Sequence, residues 1–150
     1  MFDKLKDILK KDEVNWTKFK DIFIEKEIAS KTILLNEGEI SNYIYYIKKG
    51  CLREWFNKDG KDITFQFFFE GQAVASLDSF INTKPSLFTI ESIEPSIILS
   101  IKRADFENIL DSYPEFKDEF HNLILKRFGV YGQLFLSRIK DTAHKSDTRI

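Results

Sequence analysis

Residues 31–102 change character about every ten residues, and this rhythm constrains the fold more than any other feature of the chain. Residues 32–35 are an apolar run stopped by Asn36-Glu37-Gly38-Glu39, a polar turn whose glycine can take positive φ. Residues 43–47 are β-branched and aromatic, hence a second strand, and Lys48-Lys49-Gly50 closes it. Residues 51–56 and 63–67 flank Asp59-Gly60, a strong hairpin signal. Residues 88–92 and 97–101 form a further strand pair around Glu94-Pro95. So many short strands between turn residues predict a sandwich or barrel.

Such a fold needs a core, and fifteen Phe residues supply rings for it. With 43% hydrophobic and 31% charged residues, the chain is globular in composition. Lys and Arg (23) nearly balance Asp and Glu (24), which is not the charge of a chain that grips nucleic acid by electrostatics alone. Cys51 is the sole cysteine, which excludes an intrachain disulfide and a cysteine-ligated cluster. The first residues lack an apolar signal core, and no stretch approaches the roughly 18 apolar residues of a membrane span. The expectation is a soluble protein of the reducing cytoplasm, without membrane contact.

Helical spacing flanks the strands. Phe2, Leu5, Ile8 and Leu9 predict a short amphipathic helix, and Trp16, Phe19, Ile22 and Phe23 a second helix or turn. They are expected to cover one face of a sheet. After residue 103 the helical period returns with Phe106, Ile109 and Leu110, and Pro114 restarts it. Phe116, Phe120, Leu123, Ile124, Phe128, Tyr131, Leu134, Phe135 and Ile139 then step by threes and fours. That stripe is longer than one small barrel needs on one side, so a second copy of the chain is expected to cover part of it. Residues 141–150 read as a polar, frayed tail.

At the centre stands Glu70-Gly71, followed by the small residues Gln72-Ala73-Val74-Ala75-Ser76, which are expected to start a helix. A glycine turn leading into a helix offers unpaired N–H groups to an anion.

In this frame, residues 31–112 resemble the cyclic-nucleotide-binding domain of the Crp/Fnr transcription regulators. The resemblance rests on Leu35-Asn36-Glu37-Gly38-Glu39, Tyr45-Tyr46-Ile47-Lys48-Lys49-Gly50 and Asp59-Gly60-Lys61-Asp62-Ile63. It continues through Phe69-Glu70-Gly71-Gln72, Pro85 and Thr89-Ile90-Glu91-Ser92, which look like the family's phosphate-binding cassette. The wording is nearest to a Bacteroidetes-like branch. The resemblance implies a mostly β fold with flanking helices: a double-stranded β-helix, or jelly-roll-like β-roll, over residues 1–112. It also implies an N-terminal helical cap and a long dimerisation helix over 113–140. Gly71, Gln72, Ala73, Val74, Ser86 and Leu87 would line a ligand pocket, with Thr89 pointing inward and Lys84 as a charge donor. Phe128, Tyr131 and Phe135 would form the homodimer interface.

The cassette departs from members that bind cyclic AMP. These carry Gly-Glu, the Glu holding a ribose hydroxyl, and Pro-Arg, the Arg meeting the cyclic phosphate. Here Gln72 stands at the first place and Pro85-Ser86-Leu87 at the second. Gln still accepts a hydroxyl hydrogen bond. A lost guanidinium removes about 1.5–3 kcal/mol, or one to two decades of affinity. A cyclic nucleotide is therefore the cofactor the resemblance offers and the cassette disfavours.

Other effectors fail on ligands. An iron–sulfur cluster needs several cysteines. His121 and His144, the only histidines, lie outside the strand region, which argues against haem and against a metal-dependent cupin enzyme. No catalytic constellation is apparent. The family's helix-turn-helix needs some tens of residues after the long helix. The sequence ends ten residues beyond Lys140, so this chain is not expected to bind DNA in the family manner. The reading is the effector-sensing and dimerisation domain of a Crp/Fnr-like regulator that does not hold cyclic AMP in the family manner. The alternative is a non-sensing dimerisation module with the same fold.

Overall fold

The structure, a computed structural model, describes residues 7, 11 and 13–147, with the backbone alone for 15, 16, 18 and 134–147. The helix expected over residues 2–9 lies outside the described residues apart from Asp7, which is helical. The chain divides into two units, Met1–Ser112 and Tyr113–Ile150.

The first unit opens with α1 (Glu13–Phe19) and a 3-10 turn, Lys20–Ile22. Among the described residues its strands form two antiparallel four-stranded sheets. The first holds β1 (Ile24–Ile28), β8 (Ser96–Lys102), β3 (Tyr43–Lys49) and β6 (Ala73–Val74), in that order. The second holds β2 (Ile33–Leu35), β7 (Thr89–Ser92), β4 (Leu52–Lys58) and β5 (Lys61–Phe68). A short helix α2 (Leu77–Asn82) interrupts the strands, and α3 (Arg103–Ser112) follows them. The expected mostly β sandwich with flanking helices is what the chain forms.

Alternation decides what each strand buries. Along β4, Leu52, Glu54 and Phe56 share one side and Arg53 and Trp55 the other. Leu52 belongs to a buried cluster with Leu35, Tyr45, Ile47, Phe68, Val74, Ile90 and Ile98, so its side faces the interior. The β4–β5 hairpin turns at Asp59 and Gly60, both at positive φ (53° and 82°), as the Asp-Gly pair predicted. A bulge shifts the register there: Glu54 faces Gln66 while Trp55 faces Thr64, leaving Phe65 as the extra residue.

Three expectations need correction. Strand β1 was not anticipated, because Glu25, Lys26 and Glu27 make it a charged, exposed edge. Strands β7 and β8 do not pair with each other: β7 lies between β2 and β4, and β8 between β1 and β3. Residues 93–95 thus cross between sheets instead of turning a hairpin. Finally, residues 72–76 do not start a helix; Ala73 and Val74 pair with Tyr46 and Tyr45 of β3, and the helix begins at Leu77.

The second unit is one helix, α4 (Pro114–Asp147), which continues into the stretch expected to be a polar tail. Its early Phe116 and Phe120 are buried, whereas Leu125, Phe128 and Val130 are exposed. No helix among the described residues is long and apolar enough to cross a membrane.

Candidate functional site

The cassette residues sit on a glycine turn, one short strand and the run into β7. Gly71 takes φ 84°, which a side chain would resist. Its N–H donates to the Ile47 carbonyl (2.9 Å), and that of Gln72 to Phe69 (3.1 Å). The Gln72 side chain folds back too: Oε1 accepts from the Phe69 N–H at 2.8 Å. Ala73 and Val74 are buried, Val74 within the central cluster. The amides offered to an anion at Gly71 and Gln72 are thus committed to the turn and to β3. Helix α2 has only six residues, and its N-cap Ser76 makes no side-chain cap hydrogen bond.

The second half of the cassette is stitched to the turn at residues 36–39. Ser86 N–H donates to the Glu39 carbonyl (2.8 Å), and Gly38 N–H to the Ser86 carbonyl (2.7 Å). The Thr89 hydroxyl is buried and accepts from Glu37 N–H at 2.9 Å. Thr89 stands opposite Trp55 in the register, on the side of the sheet away from Leu52 and Ile90, and so does not point into the roll as expected. Ser86, which the resemblance sets at the place of the family's arginine, is buried, with Oγ 2.8 Å from Ser76 Oγ and donating to the Phe88 carbonyl at 2.7 Å. Leu87 is 74% exposed and Lys84 is also exposed. The structure therefore turns Gln72, Ser86 and Thr89 toward backbone partners, while Leu87 and Lys84 face solvent. A cleft of about 310 Å³ opens elsewhere, lined by Asn42, Tyr43, Lys102, Arg103, Ala104 and Glu107.

Two side-chain groups of this unit were not anticipated. Arg103, at the start of α3, donates to the Ser41 carbonyl and to Thr83 Oγ1 (3.2 Å), and its guanidinium lies 5.6 Å from the Phe80 ring centre. Phe80 in turn meets Phe106 edge-on at 5.8 Å. The end of α2 is so tied to α3. On the outer side of the second sheet, Arg53 donates from Nε and Nη2 to Glu91 Oε1 (2.9 and 2.6 Å) and from Nη1 to Thr64 (2.8 Å). Its guanidinium covers Trp55 at 5.0 Å. This arginine is committed to a cross-strand ion pair with Glu91, the outward residue of the cassette's last stretch.

On the inner side of the same sheet lies Glu54, fully buried, opposite Gln66. The Phe65 ring meets those of Phe56 and Phe88, with ring centres 6.0 and 5.0 Å apart. Sequence reading took these as plain strand residues; the charge at Glu54 inside an apolar run was the available signal. Tyr45, beneath the cluster, has its phenol pushed up to about 12 by burial, then by Tyr43 and Glu39. Burial, followed by Glu94, also raises the Cys51 thiol, which suits a structural cysteine. Phe128 is exposed and Tyr131 half-buried on α4, while the Phe135 side chain lies outside the described residues.

Known proteins share this fold. The chain is 22% identical over 124 residues to a cAMP-dependent protein kinase regulatory subunit of Blastocladiella emersonii, covering 82% of this chain and 30% of that protein. It is 29% identical over 95 residues to the Pycsar effector protein PaPycTIR of Pseudomonas aeruginosa, covering 59% of this chain and 28% of that one. The chain therefore spans less than a third of either relative. Among solved structures, the Catabolite Activator Protein of Thermus thermophilus superposes with a TM-score of 0.71 at 14% identity, over 86% of this chain and 60% of that one. Residues 25–113 match the model of the cyclic nucleotide-binding domain, and the chain belongs to that family.

Proposed function

We propose that this chain is the ligand-sensing and dimerising part of a Crp/Fnr-like regulator, without catalytic activity, whose effector is not a cyclic nucleotide held by the family's phosphate clamp. Family membership and the likeness to a catabolite activator support the regulatory reading. One observation carries the departure: Ser86 stands where the clamp needs arginine, and its amide and hydroxyl are both engaged inside the protein. With the amides of Gly71 and Gln72 engaged as well, a phosphate would have to break existing hydrogen bonds before gaining new ones. In this reading an occupied roll shifts α2, and the Arg103 contacts to Thr83 and Phe80 pass the shift to α3. A second copy covers α4 through Phe128, Tyr131 and Phe135.

Thermal melts test the sensing role. Cyclic AMP, cyclic GMP and cyclic dinucleotides should leave Tm unchanged, while at least one compound of a panel of non-phosphate metabolites raises it by several degrees. A flat response to every compound would instead favour a dimerisation module that senses nothing.

A further inference from the structure

The cleft at the start of α3 lies outside the cassette, and its walls present opposite charges to one small space. Tyr43 and Lys102 face each other at the ends of β3 and β8, so their side chains leave the same side of the first sheet. Ala104 and Glu107, three residues apart, share a face of α3 with Arg103. Two hydrogen bonds join these walls. The Asn42 carbonyl accepts from the Arg103 N–H at 2.8 Å, and the Arg103 guanidinium donates to the Ser41 carbonyl. The space of about 310 Å³ is thus held open by contacts that need no ligand, and its size is at the lower end of the about 300–1,000 Å³ of small-molecule sites.

Glu107 has Arg103 four residues before it, the usual spacing for an ion pair along a helix. Here that guanidinium is drawn away to Ser41, Thr83 and Phe80. Among the described residues, neither Glu107 nor Lys102 belongs to an ion pair. Both are exposed, so both are charged at neutral pH. A cation and an anion therefore line one cleft without neutralising each other. A singly charged ligand would match one and leave the other unmatched. A zwitterion matches both, its carboxylate to Lys102 and its ammonium to Glu107. The Tyr43 ring, the Ala104 methyl and the alkyl stem of Lys102 offer apolar surface to its body.

We propose that this cleft binds a free α-amino acid with an apolar side chain. The site is separate from the cassette, so the sensing role of the roll holds or falls without it.

Calorimetry on the full chain tests it with a charge series on one skeleton: L-leucine, L-leucinamide and N-acetyl-L-leucine. Leucine should bind saturably with a Kd at or below about 1 mM, and each singly charged relative at least about fivefold more weakly. Lys102→Met should erase the advantage over leucinamide, and Glu107→Gln the advantage over N-acetyl-leucine. Ala104→Trp should fill the cleft and abolish binding. Because Ala104 is exposed, the Tm of that variant alone should stay within about 2 °C of the parent chain. Equal or tighter binding of either singly charged relative would overturn the proposal. So would leucine binding that survives Ala104→Trp, or that is indifferent to both charge substitutions. If leucine gives no saturable heat while another non-phosphate compound raises Tm, the cleft assignment falls and the sensing role stands.

Discussion

Tyr45 shows how one side chain links the core to solution conditions. It packs in the central cluster, stacks on Tyr43 at 6.1 Å, and its hydroxyl donates to the Leu34 carbonyl at 3.4 Å. Its phenol titrates near 12 in the folded chain against 10.0 for the ordinary value. Between these values the unfolded chain has released the proton and the folded chain still holds it, so stability must fall as pH rises. Tyr45 contributes a loss of about 1.4 kcal/mol per pH unit across that window and nothing below it. Denaturant titrations at rising pH should show this slope, and Tyr45→Phe should remove it. An unchanged slope in the variant would contradict the burial of the phenol.

Strand β3 ends against a glycine with no substitute. A Cβ at Gly50, where φ is 109°, would lie 2.9 Å from the Ser96 Cα and 2.6 Å from its Cβ. At Gly38, φ is 90° and nothing lies within 4 Å of such a Cβ. Gly50→Ala should therefore cost about 3 kcal/mol or more, and Gly38→Ala only about 1 kcal/mol, the backbone strain alone. Urea denaturation of the two variants measures the difference; equal losses would contradict the contact with Ser96.

Strands of this kind were legible wherever local rules set them. Asp59-Gly60 marked the turn between β4 and β5. Pairing between distant residues was not legible. Ala73 and Val74 are too small and too few to show a period, and only Tyr45 and Tyr46 make them a strand. Glu94-Pro95 resembles a hairpin turn locally, although it crosses between sheets. The cassette's missing arginine was plain in the sequence. The engagement of its amides was not, because Ile47, Glu39 and Ser86 meet only in the fold.

For the whole molecule, the exposed Leu125 and Phe128 on α4 predict self-association. Sedimentation equilibrium should give twice the chain mass, and Phe128→Glu should shift the population to single copies. A monomer at every concentration would contradict the dimer.

The central claim is that this cyclic nucleotide-binding roll has closed its phosphate corner with its own hydrogen bonds. Calorimetric titration with cyclic AMP tests it most directly. The account predicts no saturable heat below about 1 mM. A one-to-one isotherm with a Kd near about 1 μM would contradict it.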